Sequence, residues 1–465
     1  MNLKEEVMSL KKNDELILNI ESLANTGAGV AHHEGQAVFV NGALPGERVE
    51  ARIIKAAKTY CVARINNILE ASPSRCTPRC KHFPRCGGCV LQHLQYPSQL
   101  ECKRSEAEQV LRRISGIDFN VEKCIGMPEP WQYRNKAQLP VGVDASGNVV
   151  IGFYSQRSHD IIDTASCDIQ GMDIAPYVHK VKQLIKETKT SVYDEIKHKG
   201  SLRHLMLRKS HKNGDIMVVL VINEPLKSPD VWRDELLKAG AKSLWLNVNN
   251  QKGNIILSNR CKLLGGDATI TDSLCGVSFE LSPLSFLQVN PTQAERLYQT
   301  AVEMASLSKD DTVLDAYCGI GIMTQLFARS VKKAVGVEII PDAISDAKKS
   351  AAANGIDNAD FIVGDCALEL PKLIKEIGKV DCLVLDPPRA GCDPTLLEAI
   401  GNSDINKIVY VSCDVATLAR DCGILSSFGF VPARTVCVDM FPQTKHVESV
   451  VCLMRKESNI GLSEW

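Results

Sequence analysis

The C-terminal third of the chain alternates buried strands with helices, and this alternation constrains the fold more than any other feature. Helical segments separate predicted strands at 312–315, 334–338, 360–363, 382–386 and 407–412. Strands and helices in strict alternation form a parallel sheet with helices on both faces. Residues 281–465 are therefore predicted to form a doubly wound, Rossmann-like α/β domain, with 435–440 and 449–454 as a hairpin at its edge.

Two other patterns precede this domain. Short alternating strands and glycine-bearing turns predict a small, OB-like β-barrel over residues 1–70. Its basic side chains favour a nucleic-acid-binding surface over an ordinary solvated face. Residues 71–280 predict a central α/β domain, in which a charged helix at 97–115 could pack on the C-terminal domain.

The overall composition does not indicate a function, whereas the local distribution of charge does. The chain has 54 Lys and Arg residues against 55 Asp and Glu residues, so its net charge of −1 gives no general case for nucleic acid. Residues 71–136 nevertheless hold 11 basic side chains against 6 acidic ones, which can supply phosphate contacts. The sequence shows neither an apolar run of 18 residues nor an apolar leader, which predicts a cytoplasmic protein without a membrane span. In that compartment the 18 cysteines are expected to stay thiols, bind metal or react.

A glycine turn follows the first strand of the C-terminal domain. Gly319 and Gly321 would let the backbone approach a ligand closely at a helix N-terminus. Glu338 ends the next strand and could bind ribose hydroxyls, and Asp365 ends the third strand and could reach an adenine amine. A dinucleotide site would need a third glycine, which is missing, so S-adenosylmethionine fits better. The alternative is that the two glycines only make a tight turn.

A cysteine ends the fifth strand of this domain, at the sheet edge that also carries the glycine turn. The Cys413 thiolate could add to carbon 6 of a pyrimidine, which makes carbon 5 nucleophilic toward a methyl sulfonium. The adduct keeps a proton on carbon 5 that a base must remove, and Glu448 is the predicted base, with His446 as the alternative. Asp386, in a proline-rich loop, could orient the substrate or the cofactor. Cys318 is expected to line the wall of the site.

A loop with the sequence CTPRCKHFPRCGGC concentrates four cysteines at 76, 80, 86 and 89. Two metal sites are possible. The four local thiols could bind zinc, or Cys80, Cys86 and Cys89 could hold a 4Fe–4S cluster with the distant Cys167. Spacing alone leaves these alternatives nearly even.

Together these motifs resemble the RNA uracil-5-methyltransferases. The resemblance rests on an ordered set of segments: the barrel, C-x5-C-x2-C, FLQVN at 286–290, DAYCGIG at 315–321, DPPR at 386–389, SCD at 412–414 and HVE at 446–448. The 23S ribosomal RNA branch, with a TRAM domain and a 4Fe–4S cluster, is the closer match. The tRNA branch is expected to lack both.

The resemblance implies a role for each matching residue. Cys413 matches the nucleophile and Glu448 the base. The S-adenosylmethionine contacts match Gln288, Tyr317, Glu338 and Asp386, and the cluster ligands match Cys80, Cys86, Cys89 and Cys167. Ile322 departs from the family pattern, in which some members carry Asn, and Arg134 and Lys136 are expected to touch RNA.

The predicted function is therefore methylation of carbon 5 of a specific uridine in 23S rRNA or in an assembling large ribosomal subunit, by a monomeric enzyme. The cluster is expected to be structural, without electron transfer during turnover. The alternatives are a tRNA uracil-5-methyltransferase and a non-catalytic RNA-binding assembly factor on a methyltransferase scaffold.

Overall fold

The computed structural model describes residues 10–456 and begins with a curled, six-stranded sheet. Its order is β1-β5-β6-β4-β3-β2, and alternate side chains such as Val38, Val49 and Ala63 fill its core. The strands are β1 (Glu15–Asn19), β2 (Ser22–Leu23), β3 (Gly29–His33), β4 (Gln36–Asn41), β5 (Arg48–Ala56) and β6 (Tyr60–Glu70). The predicted N-terminal β-barrel is confirmed.

A linking region follows, with the cysteine-rich loop, helix α1 (Tyr96–Ser115) and the short strand β7 (Cys124–Ile125). The central unit then forms a seven-stranded sheet of order β10-β9-β8-β11-β12-β13-β14, followed by the hairpin β15–β16. Its elements are β8 (Lys136–Val143), β9 (Val149–Tyr154), β10 (Ile161–Asp163), α2 (Ala175–Thr188), β11 (Leu202–Lys209), β12 (Ile216–Ile222), α3 (Pro229–Lys238), β13 (Ala241–Val248), β14 (Cys261–Gly266), β15 (Ile270–Leu274) and β16 (Val277–Leu281).

Both faces of the central sheet are covered, which explains the unbroken apolar run in β12. On β11, Leu205 and Leu207 pack with helices α2 and α3, while Met206 points to the opposite face and joins the core of the C-terminal unit. Alternation along a strand sends successive side chains to opposite faces. The central sheet therefore packs directly against the domain that follows.

The C-terminal unit is an eight-stranded sheet of order β19-β18-β17-β20-β21-β23-β22-β7, with helices between its strands. Its elements are α4 (Pro291–Ala305), β17 (Thr312–Ala316), α5 (Ile322–Ala328), β18 (Lys333–Glu338), α6 (Pro341–Ala353), β19 (Ala359–Val363), α7 (Cys366–Ile377), β20 (Cys382–Leu385), α8 (Pro394–Gly401), β21 (Lys407–Ser412), α9 (Val415–Ser427), β22 (Phe430–Val438) and β23 (Glu448–Arg455). The predicted doubly wound α/β architecture is confirmed.

The predicted terminal hairpin forms, but it does not lie at the edge of the sheet. Strand β23 runs antiparallel between β21 and β22, and β7 pairs in parallel with β22 and covers the outer edge. Helix α1 packs on the same unit, since its buried Ala107 and Leu111 share a core with Leu418 and Cys422 of α9. Part of the segment predicted as central, 71–280, thus lies with the C-terminal sheet.

Among the helices of residues 10–456, none combines the length and apolarity needed to cross a membrane.

Candidate active site

The turn after β17 brings the backbone into a conformation suited to a close ligand. Tyr317 has a left-handed φ of 64°, which is uncommon for a residue with a bulky side chain, and Gly319 and Gly321 have φ of 55° and 73°. A side chain at Gly321 would meet the ring of Phe361 at 2.5 Å, whereas one at Gly319 would meet no protein atom within 4 Å. Gly321 is therefore required for packing, and Gly319 faces open space that a ligand can fill.

Two acids end the neighbouring strands β18 and β19. The carboxylate of Glu338 accepts hydrogen bonds from the amides of Gly319 (3.2 Å) and Ile340 (3.0 Å), which fixes its orientation. Asp365 is exposed and caps helix α7, where one carboxylate oxygen accepts from the amide of Ala367 at 2.9 Å. Exposed Ile339 and Ile340 stand beside Glu338. A pair of oriented acids next to apolar side chains suits the ribose and the ring of an adenosine group.

A third acid was not predicted as a site residue from the sequence. Asp315 is fully buried at the end of β17, and one of its oxygens accepts from the hydroxyl of Thr324. Its other oxygen has no hydrogen-bond partner in the described chain, and burial raises its pKa to about 7. An unpaired buried oxygen is costly unless a ligand satisfies it. The signal available in the sequence was an acid in an otherwise apolar strand.

Asp386 begins the loop after β20, and neighbouring elements hold that loop firmly. Burial, and secondarily the charge of Asp315, raises the pKa of Asp386 to about 7. Farther along the loop, Arg420 donates to the carbonyl of Ala390 at 2.9 Å, and Asp421 accepts from the amide of Cys392 at 2.8 Å. The loop is therefore a rigid wall at the carboxyl edge of the sheet.

The predicted nucleophile and base occupy adjacent strands. Ser412 pairs with Ser449 across β21 and β23, so Cys413, the next residue on one strand, lies opposite Glu448 on the other. Cys413 is partly exposed, and burial and the nearby Glu448 carboxyl raise its pKa, while Arg389 opposes the shift. The structure therefore brings the two predicted catalytic side chains together.

Glu448 is 2% exposed, and one of its oxygens has no hydrogen-bond partner among the described residues. Burial, with a contribution from Asp386, raises its pKa to about 8, and Arg389 lowers it. His446 is the alternative base, but burial and the cations around it lower its pKa to about 4. The ionised form of a group with a pKa near 8 is a stronger base than one near 4, so these directions favour Glu448 over His446 as the base.

Gln288 lies in the partly exposed loop before α4. Its backbone carbonyl accepts from the side-chain amide of Asn135 at 3.4 Å, and the amide of Asn135 donates to the carbonyl of Val289 at 2.8 Å. These bonds hold the loop, while within residues 10–456 the amide group of Gln288 itself makes no hydrogen bond and stays available to a ligand.

The predicted metal ligands converge on one cleft of about 690 Å³. Burial, with a contribution from the neighbouring thiols, raises the pKa of Cys89 to about 12, and burial also raises that of Cys167, to about 11. A single zinc ion would draw its ligands to about 2.3 Å from one point, yet no three His, Cys, Asp or Glu side chains in the described chain are placed to share one ion. The structure thus brings the four predicted cluster ligands, Cys80, Cys86, Cys89 and Cys167, to the lining of one cleft. Cys76 stands apart and donates to the carbonyl of Gln92.

The same cleft is basic. Its lining includes Arg134, Lys136, Arg157 and Lys445 against one carboxylate, Asp168, among the residues that the structure describes. Burial, with the charges of nearby arginines, lowers the pKa of Lys136 to about 8. The barrel, the cysteine-rich loop, the central sheet and the loop before β23 all contribute to the walls. A cleft with this charge and breadth suits a phosphate backbone.

The fold and this site define an α/β methyltransferase that acts on RNA. Residues 95–456 match the family model described as tRNA (Uracil-5-)-methyltransferase, and residues 11–65 match the TRAM domain. The chain belongs to the tRNA (uracil-5-)-methyltransferase family, which confirms the predicted class of S-adenosylmethionine-dependent RNA uracil-5-methyltransferases.

Similar proteins span the whole chain. An uncharacterized RNA methyltransferase of Clostridium tetani is 43% identical over 96% of this chain and 97% of its own length. One from Halalkalibacterium halodurans is 44% identical over 96% and 98%. The crystal structure of Pyrococcus abyssi tRNA (uracil-54, C5)-methyltransferase in complex with S-adenosyl-L-homocysteine is 28% identical, with a TM-score of 0.75, and covers 94% of this chain and 99% of that one.

The Pyrococcus match bears on the expectation that the N-terminal barrel separates the rRNA branch from the tRNA branch. A match over 94% of 465 residues leaves out about 28 residues, which is fewer than the 55 residues of the TRAM match at 11–65. A tRNA methyltransferase therefore extends into the barrel as well. The barrel does not separate the rRNA branch from the tRNA branch, contrary to the expectation from sequence.

Proposed function

We propose that this protein transfers a methyl group from S-adenosylmethionine to carbon 5 of a uridine in RNA through a covalent adduct on Cys413. The observation that carries the proposal is the pairing of a partly exposed thiol, Cys413, with a buried and incompletely bonded carboxyl, Glu448, on adjacent strand ends. A nucleophile beside a group of raised pKa is the arrangement that covalent catalysis with proton transfer requires.

The reaction follows from these two groups. The Cys413 thiol releases its proton to solvent, the thiolate bonds to carbon 6 of the uracil, and the electron pair of the 5,6 double bond moves toward carbon 5 and the carbonyl. Carbon 5 then takes the methyl group from the sulfonium of the donor, which leaves as S-adenosylhomocysteine. Glu448, after releasing its own proton to solvent, removes as a carboxylate the remaining proton from carbon 5, the double bond re-forms, and the thiolate departs.

The donor would lie along the edge formed by β17, β18 and β19. Glu338 and Asp365 would bind its adenosine end, and the backbone at Gly319 would pass beside it. Gln288, Tyr317 and Asp386 would complete the site. The S-adenosyl-L-homocysteine bound in the Pyrococcus relative supports this class of ligand.

Cys80, Cys86, Cys89 and Cys167 would hold a 4Fe–4S cluster with a structural role. Such a cluster would fix the cysteine-rich loop against the basic cleft that receives RNA. A visible absorption spectrum after anaerobic purification, with iron and zinc determined by mass spectrometry, tests this assignment. Iron near four per chain supports a cluster, and zinc near one per chain contradicts it.

We propose 23S rRNA as the substrate, by the resemblance of the motif set, and a monomeric, cytoplasmic enzyme. The second candidate is tRNA, which is favoured by the name of the Pyrococcus relative. Purified protein should be given labelled S-adenosylmethionine with transcribed 23S rRNA fragments and, separately, with transcribed tRNA.

Label in 5-methyluridine of the rRNA fragments alone supports the first candidate, and label in tRNA alone supports the second. RNA binding without label in either substrate would instead indicate a non-catalytic assembly factor. Mapping of 5-methyluridine in cells with and without the gene then locates the modified uridine.

A further inference from the structure

The loop that connects β22 to β23 ends at the proposed base and is held in an unusual way. The backbone carbonyls of five consecutive residues, 439 to 443, each accept a hydrogen bond from a group outside the loop. The donors are Gln293 to Asp439 (3.1 Å), Asn290 to Met440 (3.0 Å), Lys103 to Phe441 (3.2 Å), Tyr133 to Pro442 (2.9 Å), and the amides of Val90 and Leu91 to Gln443 (3.0 Å each). Most loops run over the protein surface, whereas the carbonyls of this loop are satisfied by groups of other segments, as buried backbone requires.

Gln443 is the centre of this arrangement. Its backbone has a left-handed φ of 69°, and the residue is 2% exposed. Gln99 of helix α1 binds it twice, since the amide nitrogen of Gln99 donates to the side-chain oxygen of Gln443 at 3.0 Å and the backbone amide of Gln443 donates to the oxygen of Gln99 at 3.1 Å. The surroundings hold a backbone conformation that glutamine seldom adopts.

The same bonds reach the cysteine-rich loop. Val90 and Leu91, which donate to Gln443, directly follow Cys89 in the chain. Gln99 also donates to the carbonyls of Leu91 and Leu94 at the end of that loop. The ring of Tyr133 packs against Cys89, and its hydroxyl donates to Pro442. Two separate routes thus join the cysteine-rich loop to the loop that carries Glu448.

We propose that Gln99, Gln443 and Tyr133 are positioning residues that hold the 439–447 loop, and through it Glu448, for removal of the proton from carbon 5. This inference rests on the proposed function. A displacement of about 1 Å in a reacting group can lower a rate about 100-fold. The network touches neither Cys413 nor the residues proposed for the donor's adenosine end, so the addition and methyl-transfer steps should be spared.

The test separates the two halves of the reaction with the variant Gln99→Met, which keeps an unbranched side chain of similar length and removes its hydrogen-bonding groups. RNA containing 5-fluorouridine can be attacked and methylated, but carbon 5 then carries fluorine in place of the proton that the base removes. The adduct cannot break down, so the rate at which it is trapped reports only the early steps. With ordinary RNA, the fraction of protein in a denaturant-resistant adduct rises when proton removal slows. The control is Gln109→Met, on the exposed side of the same helix.

For Gln99→Met we expect fluorouridine trapping within about twofold of wild type, turnover lowered about 10- to 100-fold, an unchanged KM for S-adenosylmethionine, and at least a fivefold rise in adduct on ordinary RNA. Tyr133→Phe, which removes one hydroxyl, should change turnover and adduct in the same direction by about two- to fivefold, with Tyr193→Phe as its control. Trapping that slows in proportion to turnover, or turnover that is unaffected, would overturn the inference. Absence of trapping in the wild-type protein would instead refute the proposed function.

Discussion

Two thiols stand at the carboxyl edge of the same sheet, and their surroundings differ. Cys318 is 9% exposed and lies over Gly336, where an added Cβ would meet its sulfur at 2.8 Å. Cys413 is partly exposed and faces a carboxyl and an arginine. Burial raises the pKa of both thiols, and that of Cys318 far beyond its usual range. Location at the ligand edge is therefore insufficient for a nucleophile, which must also be accessible to the substrate.

The same edge carries two glutamates, Glu338 and Glu448, whose surroundings also differ. Both oxygens of Glu338 accept hydrogen bonds from backbone amides, which gives the carboxylate a fixed orientation for binding. Glu448 is buried with an unpaired oxygen and a pKa raised to about 8, which suits a group that exchanges a proton. Each half of the edge thus offers one thiol and one acid, but only the half at Cys413 combines a partly exposed thiol with an incompletely bonded carboxyl.

Substitution of the two thiols gives the largest expected contrast. Cys413→Ala should lower methylation by about 10⁴-fold or more and abolish the RNA adduct, because no other group can bond to carbon 6. Cys318→Ala should retain turnover within about threefold. Methyl transfer to RNA and binding of S-adenosylhomocysteine are measured for both variants. Equal losses in the two variants would erase the distinction between the two halves of the edge.

The glutamates should separate by the step that each affects. Glu448→Gln should lower turnover by about 10²- to 10⁴-fold, the usual contribution of a positioned base, and accumulate adduct. Glu338→Gln should raise the KM for S-adenosylmethionine about tenfold without accumulating adduct, since it weakens binding rather than proton removal. Steady-state kinetics and denaturing gels distinguish the two patterns. Adduct in the Glu338 variant would show that the assignment of roles is wrong.

The raised pKa of Glu448 also predicts how stability changes with pH in the substrate-free protein. The folded state holds the proton up to about pH 8, whereas the unfolded chain releases it near the ordinary value of 4.5. Stability is therefore lost as pH rises between these two values, and by linkage the loss between pH 6 and pH 8 is on the order of 2 kcal/mol.

Glu448→Gln removes this pH-dependent contribution to stability. The Tm of the variant relative to that of wild type should therefore rise by a few degrees between pH 6 and pH 8. Asp315 and Asp386 remain in both proteins. A difference in Tm that is independent of pH would mean that Glu448 is already ionised at neutral pH.

The smallest expected effect concerns the packing role of Cys318. Because its side chain fills space above Gly336, Cys318→Ala should lower the free energy of unfolding by about 1 kcal/mol, as for loss of a small buried group. Chemical denaturation measures this loss, with the partly exposed Cys261 changed to Ala as control. A loss no larger than that of the control would remove the packing explanation for Cys318.

The sequence predicted the parts of this edge that follow from strand order. Parallel strands end on one side of a sheet, so the residues after the strands at 312–315, 334–338 and 407–412 could be expected to meet. Helix α1 begins and ends within one residue of its predicted bounds. The charge and spacing of local motifs were sufficient to predict these features.

Other features depend on contacts between distant segments. Nothing local marks the two-residue strand β7, or the insertion of β23 between β21 and β22. The raised pKa of Glu448 arises from burial by several elements, and the carbonyls of 439–443 are bound by groups more than 140 residues away in sequence. Such long-range pairings leave no periodic pattern in the chain, and the choice between rRNA and tRNA leaves none either.

The covalent bond proposed at Cys413 can be tested directly. The Glu448→Gln protein should be incubated with S-adenosylmethionine and substrate RNA, denatured, and digested with nuclease and trypsin before mass spectrometry. Trypsin releases residues 408–420, a peptide with Cys413 as its one cysteine. The predicted result is that peptide carrying a nucleotide with one added methyl group. A methylated nucleotide attached to a different peptide, or methylated RNA with residues 408–420 always unmodified, would contradict the mechanism.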